Sequence, residues 1–227
     1  MTKQKNKSGE ICLFPQLVLT LDVRRSLKPA FLHQILQTES FACVILYDSQ
    51  IDQGDEVFFQ NNAQLYADDI QRNGAALLIA DEGRIAGRIK ADGLHLDRNV
   101  NALKNLEKRK QEGKIIGFGN LRNRHSAMNA AEAGSDYLLF GKLGADKKRH
   151  SHPRNIQLAQ WWAEIMEIPA IIQAGSDPAS FDETLATACE FIAVEEMIFA
   201  HDDPLSVLDM IKRKCIQSPL STETQYP

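Results

Sequence analysis

Short apolar runs alternate with helically spaced segments eight times along this chain, and parallel strands joined by crossover helices produce such a pattern. Gln16 to Leu21 reads as the first strand and Lys28 to Thr38 as its helix, with Phe31, Leu32, Ile35 and Leu36 forming an apolar stripe. Phe41 to Tyr47 is the second strand, followed by a helix from about Asp55 to Asn73 that Gly74 ends. Ala75 to Ile79, Gly93 to Leu96, Lys114 to Gly117, Tyr137 to Phe140, Ala170 to Gln173 and Phe191 to Val194 complete the set. Most lack polar alternation, as strands buried on both faces do. Helices are predicted at Asn99 to Gln111 and Arg122 to Ala133, and Asp177-Pro178 and Asp203-Pro204 read as caps followed by first-turn prolines. An open doubly wound sheet shares the alternation, but eight units and the lack of a glycine-rich fingerprint after the first strand favour a closed barrel. The expected fold is a single α/β domain, a (β/α)8 TIM barrel over residues 11–215, with a disordered N-terminus at 1–10 and a flexible tail at 216–227.

A chain of 227 residues supports one large core. Its formal net charge of -4 argues against a nucleic-acid coat, which leaves small molecules or a second copy of the chain as expected partners. Cys12, Cys43, Cys189 and Cys215 are scattered, without a CxxC pair, and fit a reducing compartment. Behind the basic, polar start Met1 to Ser8 there is no apolar stretch of a secretory signal, and no run is long enough to span a membrane. The expected location is the cytoplasm.

Ala91-Asp92-Gly93-Leu94-His95-Leu96, then Lys114 to Gly117, Ala131-Glu132-Ala133-Gly134-Ser135-Asp136-Tyr137, Phe140-Gly141, and Ile168 to Ile171 leading to Gly175 follow one another over about 60% of the chain. In that order they resemble the thiamine-phosphate synthase and thiazole tautomerase superfamily. The resemblance implies a transferase of thiamine biosynthesis at the barrel's C-terminal rim, joining hydroxymethylpyrimidine diphosphate to thiazole phosphate with release of pyrophosphate. It also implies a cationic clamp on the diphosphate, carboxylates holding magnesium, and backbone amides around the second phosphate.

Most of the positions that the resemblance assigns to this chemistry carry other residues. The clamp of the second strand falls on Val44, Leu46 and Asp48. Asp81, after the third strand, keeps a metal-ligand type, while the second carboxylate falls near Val100, with Asp97 displaced from it. One carboxylate is a poor magnesium site, because the ion usually takes a pair of carboxylates or substrate phosphates. Gly119 and Leu121 stand where a serine and a proton-moving histidine would, and neither exchanges a proton. His125 reads as a surface residue, and His150 with His152 are too few to define a metal site.

The sixth loop carries Lys142, Lys147, Lys148 and Arg149, which could replace the lost clamp if the loop closed over a phosphate. Gly175 keeps half of a double glycine expected to offer amides to a phosphate, whereas Glu195 and Glu196 replace a small or hydroxyl-bearing pair and would repel a dianion. With Asp48, Asp81 and Asp146 these acids are expected to ring a rim that prefers a metal or a cationic, thiamine-like ligand. The resulting expectation is a thiamine-phosphate synthase-like protein with altered or lost activity; the alternative is a non-catalytic ligand-binding or regulatory member of the same barrel family.

Overall fold

The computed structural model describes residues 3–5, 11–53, 55–97 and 112–220. Eight parallel strands close into a barrel: β1 Gln16–Asp22, β2 Phe41–Tyr47, β3 Ala76–Ala80, β4 Gly93–Leu96, β5 Ile115–Phe118, β6 Tyr137–Phe140, β7 Ala170–Gln173 and β8 Phe191–Val194. Each pairs with its neighbour in chain order, and β8 pairs with both β7 and β1. The barrel expected from the sequence is thus the fold observed. Among the described residues the helices are α1 Pro29–Leu36, α2 Glu56–Arg72, α3 Gly83–Arg88, α4 Arg124–Glu132, α5 Pro153–Ile165, α6 Phe181–Leu185, α7 Glu196–Phe199 and α8 Pro204–Gln217. None is long and apolar enough to cross a membrane.

Period-two geometry sorts each strand into two buried faces. Val18, Ile45, Leu78, Leu139, Ile171 and Ala193 fill the barrel interior. Leu19, Val44, Leu46, Leu77, Ile79, Leu138, Phe140 and Ile172 turn outward against Phe59, Ile70, Trp162, Leu208 and Ile211 on the surrounding helices. Both faces are apolar because neither meets water, and each fully buried large side chain contributes about 1.5–3 kcal/mol.

Local chemistry sets the helix ends. Asp55 accepts from the Phe58 amide at the start of α2, and Gly74 beyond its end adopts φ 81°, which a glycine reaches without strain. Asn123 and Ser126 form a reciprocal capping box on α4, and Asp203 caps α8 ahead of Pro204. α3 was not foreseen. The helix expected at Asn99 to Gln111 lies outside the described residues, as do most of the expected N-terminal and C-terminal segments. Within those segments Lys3–Lys5 pairs antiparallel with Ile11–Leu13, α8 continues to Gln217, and Leu220 bridges back to Leu13.

Candidate functional site at the barrel mouth

The C-terminal end of β1 delivers two arginines that sequence reasoning passed over. Arg24 binds Asp48 through two bonds of 2.8 Å, from Nε and Nη2, and its guanidinium lies 3.8 Å over the Phe58 ring. Such a planar fork suits a carboxylate. Arg25 donates to Glu196 at 2.6 Å and to Glu195 at 3.4 Å. Both guanidiniums are held above their ordinary basicity: Arg24 chiefly by its bond to Asp48, and Arg25 by Glu195 and Glu196, which together outweigh the opposing effect of burial.

Glu195 is the centre of this network and only 1% exposed. It accepts from the Tyr47 hydroxyl at 2.7 Å, from the Asp22 amide at 2.9 Å and from Thr20 at 3.5 Å. Burial pushes its carboxyl up to about 7, against the opposing pull of the Asp22 amide, the Tyr47 hydroxyl and the Arg25 charge.

Two readings of the sequence are corrected here. Val44 and Leu46 lie in the outer core, so the residues of β2 that face the barrel axis are Cys43, Ile45 and Tyr47. On that inward face β2 supplies no cation. The acids Asp48, Glu195 and Glu196 do not stand as an open ring awaiting a cation, because Arg24 and Arg25 already neutralise them.

The loop between β6 and α5 is folded down over the mouth. Leu143 packs into the barrel interior with Tyr47 and Ala80. Asp146, 4% exposed, accepts from the Glu196 amide at 2.9 Å; burial raises its carboxyl, and that amide bond works the other way. The Lys148 carbonyl accepts from the Ser176 amide, and Ser151 donates to the Gln173 carbonyl, each at 2.8 Å.

Gly175 is where this loop crosses β7's end. A Cβ there would stand 2.2 Å from the Arg149 carbonyl oxygen, so the glycine serves close backbone approach. Of the cations expected to meet a phosphate, Lys147, Lys148 and Arg149 project from the exposed outside of the loop, and Arg149 is paired with Asp177 at 2.6 Å. Lys142 alone of that set lines the mouth, in two adjoining cavities. His150 bonds Glu183, His152 caps α5, and His125 is exposed.

Below the loop, fully buried His95 on β4 meets the Tyr137 hydroxyl at 2.9 Å through Nδ1. The Tyr137 ring lies across Gly117, where a Cβ would come within 1.9 Å of it. His95 Nε2 faces Asp97 Oδ1 at 3.8 Å, and neither atom has a hydrogen-bond partner among the described residues. Gly119 sits against both: a Cβ would be 2.6 Å and 2.7 Å from them, which excludes a serine in this arrangement.

Asp81, with φ 57°, accepts from the Asp97 amide at 2.9 Å and so holds the ends of β3 and β4 together. Val100 lies outside the described residues. Among the described residues no group of three His, Cys, Asp or Glu side chains could hold a metal ion together.

Residues 22–198 match the family model described as thiamine monophosphate synthase. The chain belongs to the thiamine monophosphate synthase family. It is 31% identical over 137 residues to the thiamine-phosphate synthase of Erythrobacter litoralis, an alignment covering 58% of this chain and 63% of the relative. It is 28% identical over 134 residues to that of Hyphomonas neptunium, covering 59% and 61%. The chain thus spans less than two thirds of these relatives' lengths. A solved thiamine phosphate pyrophosphorylase from Pyrococcus furiosus superposes with a TM-score of 0.70 at 17% identity, over 88% of this chain and 96% of that one. A 3-hexulose-6-phosphate synthase from Salmonella typhimurium gives 0.65 at 14% identity, over 89% and 99%. These likenesses at low identity establish the shared barrel.

Within the family frame, the mouth residues missed from sequence are Arg24, Arg25, Tyr47, Tyr137 and Gln173. Asp22-Val23-Arg24-Arg25 directly after a strand was the available signal, since a strand's C-terminal end reaches the working rim of a barrel.

Proposed function

We propose that this protein is a cytoplasmic member of the family that binds a phosphorylated ligand of thiamine-phosphate chemistry, with the diphosphate-coupling step of its synthase relatives altered or lost. The observation that carries this reading is the pairing at the rim. Arg24 and Arg25, the cations of the β1 and β8 side, are each bound to carboxylates of the chain itself.

Coupling with loss of pyrophosphate needs positive groups that meet the departing charge in the transition state. A guanidinium already engaged by a carboxylate offers little of that stabilisation. The inward face of β2 adds Cys43, Ile45 and Tyr47, none of them cationic. The test is direct: purified protein incubated with hydroxymethylpyrimidine diphosphate, thiazole phosphate and magnesium yields no thiamine phosphate above the protein-free background, while a family synthase assayed in parallel does. Product formed at a comparable rate would refute the reading.

A further inference from the structure

Three carboxylates, Asp146, Glu195 and Glu196, gather at the end of β8 under the loop between β6 and α5. Glu195 and Asp146 are buried and Glu196 is partly so. Of the groups around Glu195, β1 gives Thr20 and the Asp22 amide, β2 gives Tyr47, the loop gives Asp146 and α7 gives Glu196. Arg25 is the only cation bonded to the three carboxylates among the described residues, because Arg24 is engaged by Asp48. Asp146 Oδ2 accepts from the Glu196 amide, and its Oδ1 has no hydrogen-bond partner among the described residues. Three ionised carboxylates around one guanidinium leave surplus negative charge in a site largely withdrawn from water, and such crowding favours uptake of a proton.

The loop completes this crowding. It brings in Asp146, seats Leu143 beside Tyr47 and Ala80, and lays Gly144 on the end of Tyr47, where a Cβ would stand 3.1 Å from the hydroxyl oxygen. Lifting the loop therefore takes away one carboxylate and lets water reach the other two.

We propose that this loop is a proton-linked latch on the barrel mouth, seated while the carboxylate cluster at Glu195 holds an added proton and released when that proton leaves. The proton lies between Glu195 Oε2 and the Tyr47 oxygen, 2.7 Å apart, since a phenolic hydroxyl accepts as well as donates. With the loop seated, burial first and the neighbouring Asp146 charge after it hold the Glu195 carboxyl up to about 7, and with the loop lifted it returns toward its ordinary 4.5. Seating is thus fully favoured below the lower value and loses that advantage as pH rises through 7. The latch governs access to the mouth whether or not coupling has been lost.

Hydrogen exchange on the full-length protein, corrected for the intrinsic effect of pH, tests this at the Ser176, Asp177 and Glu196 amides, which bond Lys148, Arg149 and Asp146 of the loop. Opening in the parent is expected to rise roughly tenfold between pH 6 and pH 8, while the Ile45 amide in the barrel wall exchanges far more slowly at both. Glu195→Gln has no proton to gain or lose, so its loop stays seated at pH 8 and the change vanishes. Asp146→Asn keeps an oxygen for the Glu196 amide and removes one charge, which reduces the change to roughly threefold and reads the latch even if Glu195→Gln does not fold. The proposal fails if opening in the parent is the same at both pH values, if either variant keeps the parent's change, or if the three amides exchange at the rate of Ile45.

Discussion

The two arcs of the barrel mouth use the same residue types to opposite ends. On the β1, β2 and β8 side, Arg24 and Arg25 meet Asp48, Glu195 and Glu196 within the chain, and Glu195 has three further donors around it. On the β5, β6 and β7 side, Arg122, Lys142 and Arg154 line a pocket, and among the described residues none of the three is in an ion pair. A count of charges along the rim would treat the arcs alike. Pairing separates them: a cation bound to a buried carboxylate is structural, and a cation without such a bond is available to solvent or a ligand.

The strongest way to break this contrast acts on Glu195. Its carboxyl is raised from 4.5 to about 7, so between those pH values the folded chain holds a proton that the unfolded chain has released. The resulting stabilisation is fully present below pH 4.5 and is lost as pH rises through 7, a change of roughly 3 kcal/mol. Urea unfolding at pH 5 and pH 8 should show the parent losing about that much relative to Glu195→Gln, which does not titrate. A constant difference between the two proteins would mean that the network does not strain this carboxylate.

A smaller effect is expected at the seam joining the two arcs. Gly175→Ala pushes a methyl group against the Arg149 carbonyl, and overpacking of backbone on backbone costs about 1–3 kcal/mol. Hydrogen exchange of the Ser176 amide, which bonds the Lys148 carbonyl, should accelerate as the loop lifts. Unchanged exchange would show that the loop is anchored elsewhere.

The mildest expected change sharpens the comparison. Asp48→Asn keeps the shape of the Arg24 partner and removes its charge, so the closed arc should gain affinity for pyrophosphate by about tenfold in calorimetry. No gain would show that pairing is not what keeps that arc silent.

The barrel was legible because strands buried on both faces read as apolar runs with sharp ends. Phe41–Tyr47, Gly93–Leu96, Tyr137–Phe140, Ala170–Gln173 and Phe191–Val194 keep their expected bounds, and the other three end within one residue of theirs. The same property hid the parity of β2. With Val44, Ile45 and Leu46 equally apolar, nothing local tells the inward face from the outward one. α3 escaped because Gly83-Arg84-Ile85-Ala86-Gly87-Arg88 has two glycines and no periodic stripe.

The chemistry of the mouth was legible only as positions. Asp48, Glu195 and Glu196 could be placed at strand ends, but their partners lie 24 residues away for Arg24 and 170 or 171 for Arg25. The first follows from the pairing of β1 with β2 and the others from barrel closure, which brings β1 beside β8, and no local pattern encodes them.

Leu143 has a consequence for equilibrium binding. Because a side chain of the chain itself plugs the barrel above His95 and Tyr137, any visitor to that floor competes with a tethered stopper at high effective concentration. Its apparent affinity is its intrinsic affinity multiplied by the fraction of molecules in which the leucine is withdrawn, so fit and displacement both set occupancy there.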